Sequence, residues 1–283
     1  MSIGPTLKPV LVTGASSGIG YASALLLAQK GFRVFAAARS QEKLQALAVR
    51  AQGRITPVAL DVTNSASIAE AMGIIADSGA RLYGLVNNAG VSVTGPIEET
   101  PLDDWRRQFE TNVFAVVAMT QAALPAMREA REGRIVNIGS VAGRIVAPFM
   151  GAYGASKHAL EGLTDALRRE VGRFGVKVSL IRPGFINTPF GEQEQEGFAR
   201  AARPGGPYAA AAAAFKAWHA KGHPAGAAPE EVSRAVCHAL VAARPHSRYT
   251  VPPRYIGSLI LRNTMPSAVT DRVFERVTGL SHL

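Results

Sequence analysis

Short runs of valine, isoleucine and leucine alternate with helix-length segments from the start of this chain to about residue 190. That alternation restricts the fold more than any other feature. The runs, one beginning near residue 9 and the rest at 32–38, 55–60, 82–86, 133–139 and 176–181, show little polar alternation. Strands read this way when both their faces are buried, and parallel strands joined by helices bury both. With a last strand predicted over 248–253, the expectation is an α/β chain in three layers. Its sheet is doubly wound, mostly or wholly parallel and seven-stranded. No repeat and no linker interrupts the pattern before Gly184, so residues 1–283 read as one domain.

The first strand runs straight into Thr13-Gly14-Ala15-Ser16-Ser17-Gly18-Ile19-Gly20, and a helix is predicted over 19–30. This order makes an anion site. Glycine lets the backbone approach a phosphate closely, and the first helical turn points unpaired N–H groups at it. Gly14, Gly18 and Gly20, placed directly after a buried strand, point to a dinucleotide. The second strand ends without Asp or Glu, and Arg39 follows at once. A carboxylate there holds the ribose hydroxyls of NAD, whereas a guanidinium forms charge-assisted bonds with the extra phosphate of NADP. The expected cofactor is therefore NADP(H) in preference to NAD(H).

Two more strands end in polar or small residues, at Asp61-Val62 and at Asn87-Asn88-Ala89-Gly90. In an open parallel sheet these carboxyl ends face the ligand. Asn112 directly precedes the apolar run 113–119. A buried asparagine must be paired, so it is either a satisfied hinge or part of a polar site. Further on, Tyr153 and Lys157 stand four apart on a predicted helix and share a face. A cation beside a phenol favours the phenolate, which suits the pair to acid–base work near neutral pH.

Composition narrows the class. The apolar runs are far shorter than the roughly 20 residues of a membrane span, and a strand starting near residue 9 leaves no room for a removable presequence. The expectation is a cytoplasmic protein. Its single cysteine, Cys237, sits in an apolar helical pattern as a small core residue. The formal net charge is +10, of which +7 falls between residues 200 and 283. Three readings are open: scattered arginines, attraction to an anionic membrane surface or acidic ligand, and nucleic acid. The last is disfavoured because the basic residues neither cluster in one run nor alternate with stacking aromatics.

Taken together, these motifs, with Ser140 and Pro183-Gly184-Phe185-Ile186-Asn187-Thr188, resemble the classical short-chain dehydrogenase/reductases over about 9–190. The resemblance implies a Rossmann fold and an NADP(H)-dependent oxidoreductase that interconverts a carbonyl and an alcohol. Tyr153 would be the acid/base and Lys157 would lower its pKa and hold the nicotinamide ribose. Ser140 would bind the reacting oxygen, and Asn112 would support a water that exchanges protons with Lys157. Gly14, Ser16, Ser17, Gly18, Ile19, Gly20, Arg39, Asp61, Val62, Asn88, Ala89, Gly90, Pro183, Gly184, Ile186 and Thr188 would surround the cofactor, together with Tyr153 and Lys157. Family members often pair through the helices here at about 103–130 and 152–173, so a homo-dimer or homo-tetramer is expected. The alternative is a non-catalytic NADP(H)-binding sensor or scaffold of the same fold.

Beyond the core at 9–188, residues 189–228 read as a substrate lid and 254–283 as a C-terminal extension. The lid begins with a stretch rich in Gly, Gln and Glu, expected to be mobile to about 207, then a strong helix former with alanines and aromatics. Phe198, Tyr208, Phe215 and Trp218 either cover a bulky apolar substrate (a steroid, retinoid or long-chain carbonyl compound) or pack ordinarily. His219 and His223 are four apart, but Gly222 and Pro224 break the helix around them and no third ligand is evident, so no metal is expected. The extension resembles that of hydroxysteroid and retinol dehydrogenase-like members. It closes the pocket, packs on a subunit or rests on a membrane.

Overall fold

The computed structural model describes residues 8–278. Seven strands, β1 (Pro9–Thr13), β2 (Arg33–Ala38), β3 (Ile55–Ala59), β4 (Gly84–Asn87), β5 (Gly133–Ile138), β6 (Val176–Pro183) and β7 (Arg248–Val251), form one wholly parallel sheet in the order β3-β2-β1-β4-β5-β6-β7. The register aligns Val10 with Val34 and Gly84, and Val136 with Val86 and Ser179. Because side chains alternate along a strand, Val10 and Val12 enter one core while Leu11 enters the other. On the first face pack α1 (Gly18–Gln29), α2 (Gln41–Arg50) and α9 (Pro229–Val241), through Leu27, Leu44, Leu47, Val232 and Val236. On the second pack α3 (Ser65–Asp77), α5 (Ala115–Ala130) and α6 (Gly151–Val171), through Ile68, Met119 and Leu167.

The helix expected from 102 onward is interrupted. α4 (Leu102–Phe109) passes into a π turn at Glu110–Phe114 before α5 begins, and Asn112 sits inside that turn. π turns widen a helix by one residue and recur at functional sites. Here the turn lets Asn112 accept from the Val91 N–H at 2.9 Å and donate to its carbonyl at 3.0 Å. The asparagine is thus a satisfied hinge that fixes the loop after β4.

The sheet reverses winding between β1 and β4, whose carboxyl ends open a crevice. Over it lie four further helices. The stretch expected to be a mobile lid forms α7 (Phe190–Ala201), followed by α8 (Ala209–Ala220), α10 (Tyr255–Thr264) and α11 (Ser267–Thr278). The glycine at 197 explains how α7 lies so close to the core: a Cβ there would stand 2.1 Å from Thr94 Oγ1. Phe198 and Phe215 are fully buried between α7 and α8, which gives the lid a core of its own. Residues 279–283 of the C-terminal extension lie outside the described residues. Among the described residues no helix is long and apolar enough to cross a membrane.

Candidate active site

A cavity of about 1180 Å³ occupies the crevice and continues under the lid. One end is walled by the glycine-rich turn after β1. Gly14 and Gly18 have φ of +65° and +54°, and a Cβ on Gly20 would lie 2.3 Å from the Gly14 carbonyl oxygen, so the turn is built for residues without side chains. Asn88 holds it from behind, its amide donating to the Thr13 and Gly14 carbonyls at 2.9 and 3.2 Å. Ser17, at the N-cap of α1, makes no side-chain capping bond and the first turn contains no acid. The free N–H groups of α1 therefore remain available to a phosphate beside them, and a dinucleotide fits this cradle.

Gly14, Ser16, Ser17, Gly18, Ile19, Arg39, Asp61, Val62, Asn88, Ala89, Gly90, Pro183, Gly184, Ile186 and Thr188 all line the cavity, as do Ser140, Tyr153 and Lys157. Gly20 and Asn112 do not; they stand behind the wall and shape it. Asp61 Oδ1 accepts from both the Thr63 hydroxyl and the Thr63 N–H, and these bonds hold its carboxyl below the usual range. Arg39 is exposed at the end of β2 and makes no ion pair among the described residues. Ser40 and Lys43 line the cavity beside it. Lys43 joins Arg39 because α2 starts two residues after Arg39, which turns its first exposed lysine back to the same end of the sheet.

At the other end, Tyr153 and Lys157 project from α6 and are buried. Lys157 Nζ donates to the Ile138 carbonyl at 2.8 Å and lies 5.8 Å from the Tyr153 ring centre. Ser140 caps the turn after β5 by accepting from the Ala142 N–H at 3.0 Å, and it lines the cavity together with Tyr153. Burial first, and then the Glu194 charge, push the Tyr153 phenol up, against which the Ser140 hydroxyl is a smaller opposing effect. Burial likewise brings Lys157 down to about 8, because an ammonium removed from water loses hydration that one carbonyl does not replace.

The lid aromatics divide. Trp218 lines the cavity, along with Phe185, Phe190 and Phe274, whereas Phe198 and Phe215 are lid core, and Tyr208 reaches outward to donate to Glu98 at 2.6 Å. The C-terminal extension contributes Ser258, Leu261 and Phe274 to the wall of the cavity. One feature was not anticipated. Glu194 of α7 is buried against His219 and His223, its Oε2 lying 3.3 and 2.8 Å from their Nε2 atoms.

The family model for short chain dehydrogenases matches residues 8–198. The chain belongs to the short-chain dehydrogenase family. Among its relatives, it is 36% identical over 271 residues to the "Uncharacterized oxidoreductase YbbO" of Escherichia coli K12, covering 95% of this chain and 94% of the other. It is 33% identical over 287 residues to the "NADPH-dependent 3-dehydrocapnine reductase" of Ornithobacterium rhinotracheale, with 95% and 97% covered. A short-chain dehydrogenase/reductase from Burkholderia phymatum, solved in complex with NAD, superposes with a TM-score of 0.80 at 27% identity, covering 91% and 93%. As a short-chain dehydrogenase, this chain is an oxidoreductase acting between alcohol and carbonyl groups with a nicotinamide cofactor.

Proposed function

We propose that this short-chain dehydrogenase interconverts a bulky apolar ketone or aldehyde with its alcohol, using NADP(H), with Tyr153 as the acid/base. The observation that supports this most is that Ser140 and Tyr153 line the same cavity as the glycine-rich turn. In the reductive direction Tyr153 gives its phenolic proton to the carbonyl oxygen while Ser140 donates a hydrogen bond to that oxygen. Bound nicotinamide supplies or receives the hydride. Lys157 holds the nicotinamide ribose and refills the phenol with a proton. Asn112 keeps the loop of Gly90 and Val91 in place beside the lysine, its Oδ1 lying 3.3 Å from where a Gly90 Cβ would be.

NADP(H) is favoured by Arg39 with Lys43 and Ser40 at the end of β2, where a 2′-phosphate would meet two cations and a hydroxyl. The relative named as NADPH-dependent accords with this. An apolar substrate is favoured by Ile145, Met150, Phe190, Trp218, Leu261 and Phe274 around the reacting end. Exposed Leu102 and Phe114 on the α4–α5 surface favour pairing of two copies there. NADPH oxidation against a panel of steroids, retinoids, long-chain aldehydes and small ketones tests the reading. Turnover is expected on the bulky apolar members; turnover confined to small polar ketones would refute the apolar pocket.

A further inference from the structure

Glu194, His219 and His223 come from three different places, the middle of α7, the last turn of α8 and the loop beyond it, and meet at one point on the cavity wall. One ligand atom from each lies within 4.8 Å of the others. Every outer atom of the trio is anchored. Ser92 Oγ donates to Glu194 Oε1 at 3.1 Å, Thr94 Oγ1 donates to the Glu194 main-chain carbonyl at 2.7 Å, and the Gln195 amide meets His219 Nδ1 at 3.1 Å. His223 Nδ1 meets the Ile186 carbonyl at 2.9 Å. Phe185, Phe198 and Phe215 pack against the imidazoles and keep water from their sides.

The tautomer of His223 decides what the point can hold. A carbonyl only accepts, so His223 Nδ1 must carry the proton it gives to Ile186. A neutral ring then turns its Nε2 lone pair at Glu194 Oε2, 2.8 Å away. Lone pair and carboxylate repel unless a cation stands between them, and that cation is either a second proton on the ring or a metal ion. The donor set of two imidazole nitrogens and one carboxylate oxygen is a zinc set, and three ligands leave one position open. Tetrahedral zinc at about 2.0–2.1 Å from each ligand sets the ligand atoms about 3.3 Å apart. The two carboxylate–imidazole separations, 2.8 and 3.3 Å, reach that value with at most a few tenths of an ångström of expansion, and the two imidazole nitrogens lie within 4.8 Å of each other. The Ile186 carbonyl on His223 and the Ser92 hydroxyl on Glu194 are outer anchors of the kind that orient metal ligands, and the Gln195 amide serves His219 in the same way when its oxygen faces Nδ1.

We propose that Glu194, His219 and His223 bind a zinc ion that clamps α7, α8 and the loop after α8 together, with its open position facing the cavity. Binding does not depend on which carbonyl compound is turned over, so the inference stands apart from the substrate reading. The test is titration of the chelator-stripped full chain with Zn²⁺ by calorimetry, and with Co²⁺ by visible absorption. The expected result is one equivalent of Zn²⁺ per chain, a rise in Tm, and the intense visible bands of four-coordinate Co²⁺. Glu194→Gln, which keeps the shape of the side chain, and His223→Ala should each weaken Zn²⁺ binding by at least about a hundredfold. His238→Ala, in the separate His238–His246 pair, should leave it unchanged. No stoichiometric binding to the wild-type chain would overturn the proposal and leave the second proton as the occupant. Binding that survives Glu194→Gln and His223→Ala would overturn it too.

Discussion

Lys157 Nζ spends its one protein hydrogen bond among the described residues on the main-chain carbonyl of Ile138, 2.8 Å away, and no carboxylate neutralises it. Burial lowers its pKa to about 8 from an ordinary 10.5. Between these values the unfolded chain keeps a proton that the folded chain has released, so stability contributed by this group rises with pH across that window and is least below about 8. Lys157→Met should therefore stabilise the cofactor-free protein at pH 7 by roughly 1–2 kcal/mol, the relief of the buried charge less the lost hydrogen bond. The gain should shrink as pH approaches 10.5, while turnover collapses. Denaturant midpoints of both proteins at pH 7 and pH 10 measure this; a loss of stability at pH 7 would contradict it.

Arg39 and Lys43 approach the end of β2 from consecutive elements, and each can bond a phosphate but neither is needed by a ribose diol. Lys43→Ala should raise the KM for NADPH about tenfold, equivalent to about 1.4 kcal/mol, and leave that for NADH nearly unchanged. Arg39→Asp should go further and invert the preference. Equal effects on both cofactors would put these cations away from the 2′-phosphate.

Glu161 on α6 is a buried anchor for two arginines of the last strands. Its Oε2 accepts from Arg182 Nη2 at 2.6 Å and from Arg248 Nε at 3.1 Å, which ties the Tyr153 helix to β6 and β7. Removing Glu161 strands Arg182, whereas Arg248 keeps Asp165 and some access to water, so Glu161→Ala should cost on the order of 3 kcal/mol, the low end for a buried pair. Urea denaturation gives the number; a change under 1 kcal/mol would show that solvent already screens the cluster.

The pH dependence should separate the two directions of reaction. Alcohol oxidation needs the phenolate of Tyr153, whose pKa burial raises, so kcat/KM for oxidation should climb with pH into the alkaline range. Carbonyl reduction needs the protonated phenol and should stay level through neutrality, declining only in the alkaline range. Identical profiles in both directions would argue against a single titrating phenol.

Much of the fold and of the site is legible in the sequence. The glycine turn, the Arg39 position and the Tyr153–Lys157 pair are local signals, written within a few residues of one another, and strand composition alone specified a sheet buried on both faces. What escaped the sequence depends on packing between distant segments. Glu194 looked like one acid among several in a polar lid; it becomes distinctive only because α7 folds against α8 and sets it beside His223, 29 residues on. Phe198 and Phe215 could not be told from Trp218, since burial inside the lid and exposure to the cavity differ by helix rotation. The rise in the Tyr153 pKa comes from the depth of the pocket, which the spacing of Tyr153 and Lys157 does not reveal.

The central claim is that the Tyr153 hydroxyl delivers or removes the proton beside the hydride. Tyr153→Phe removes that oxygen alone from a side chain whose ring packs on Phe190 at 5.9 Å, so the fold and the glycine cradle should be kept. The direct measurement is single-turnover NADPH oxidation with the best carbonyl substrate, paired with NADPH affinity by calorimetry. The account predicts unchanged affinity and a rate lower by about 10²–10⁴-fold. A Tyr153→Phe protein that reduces the carbonyl at the wild-type rate would contradict it.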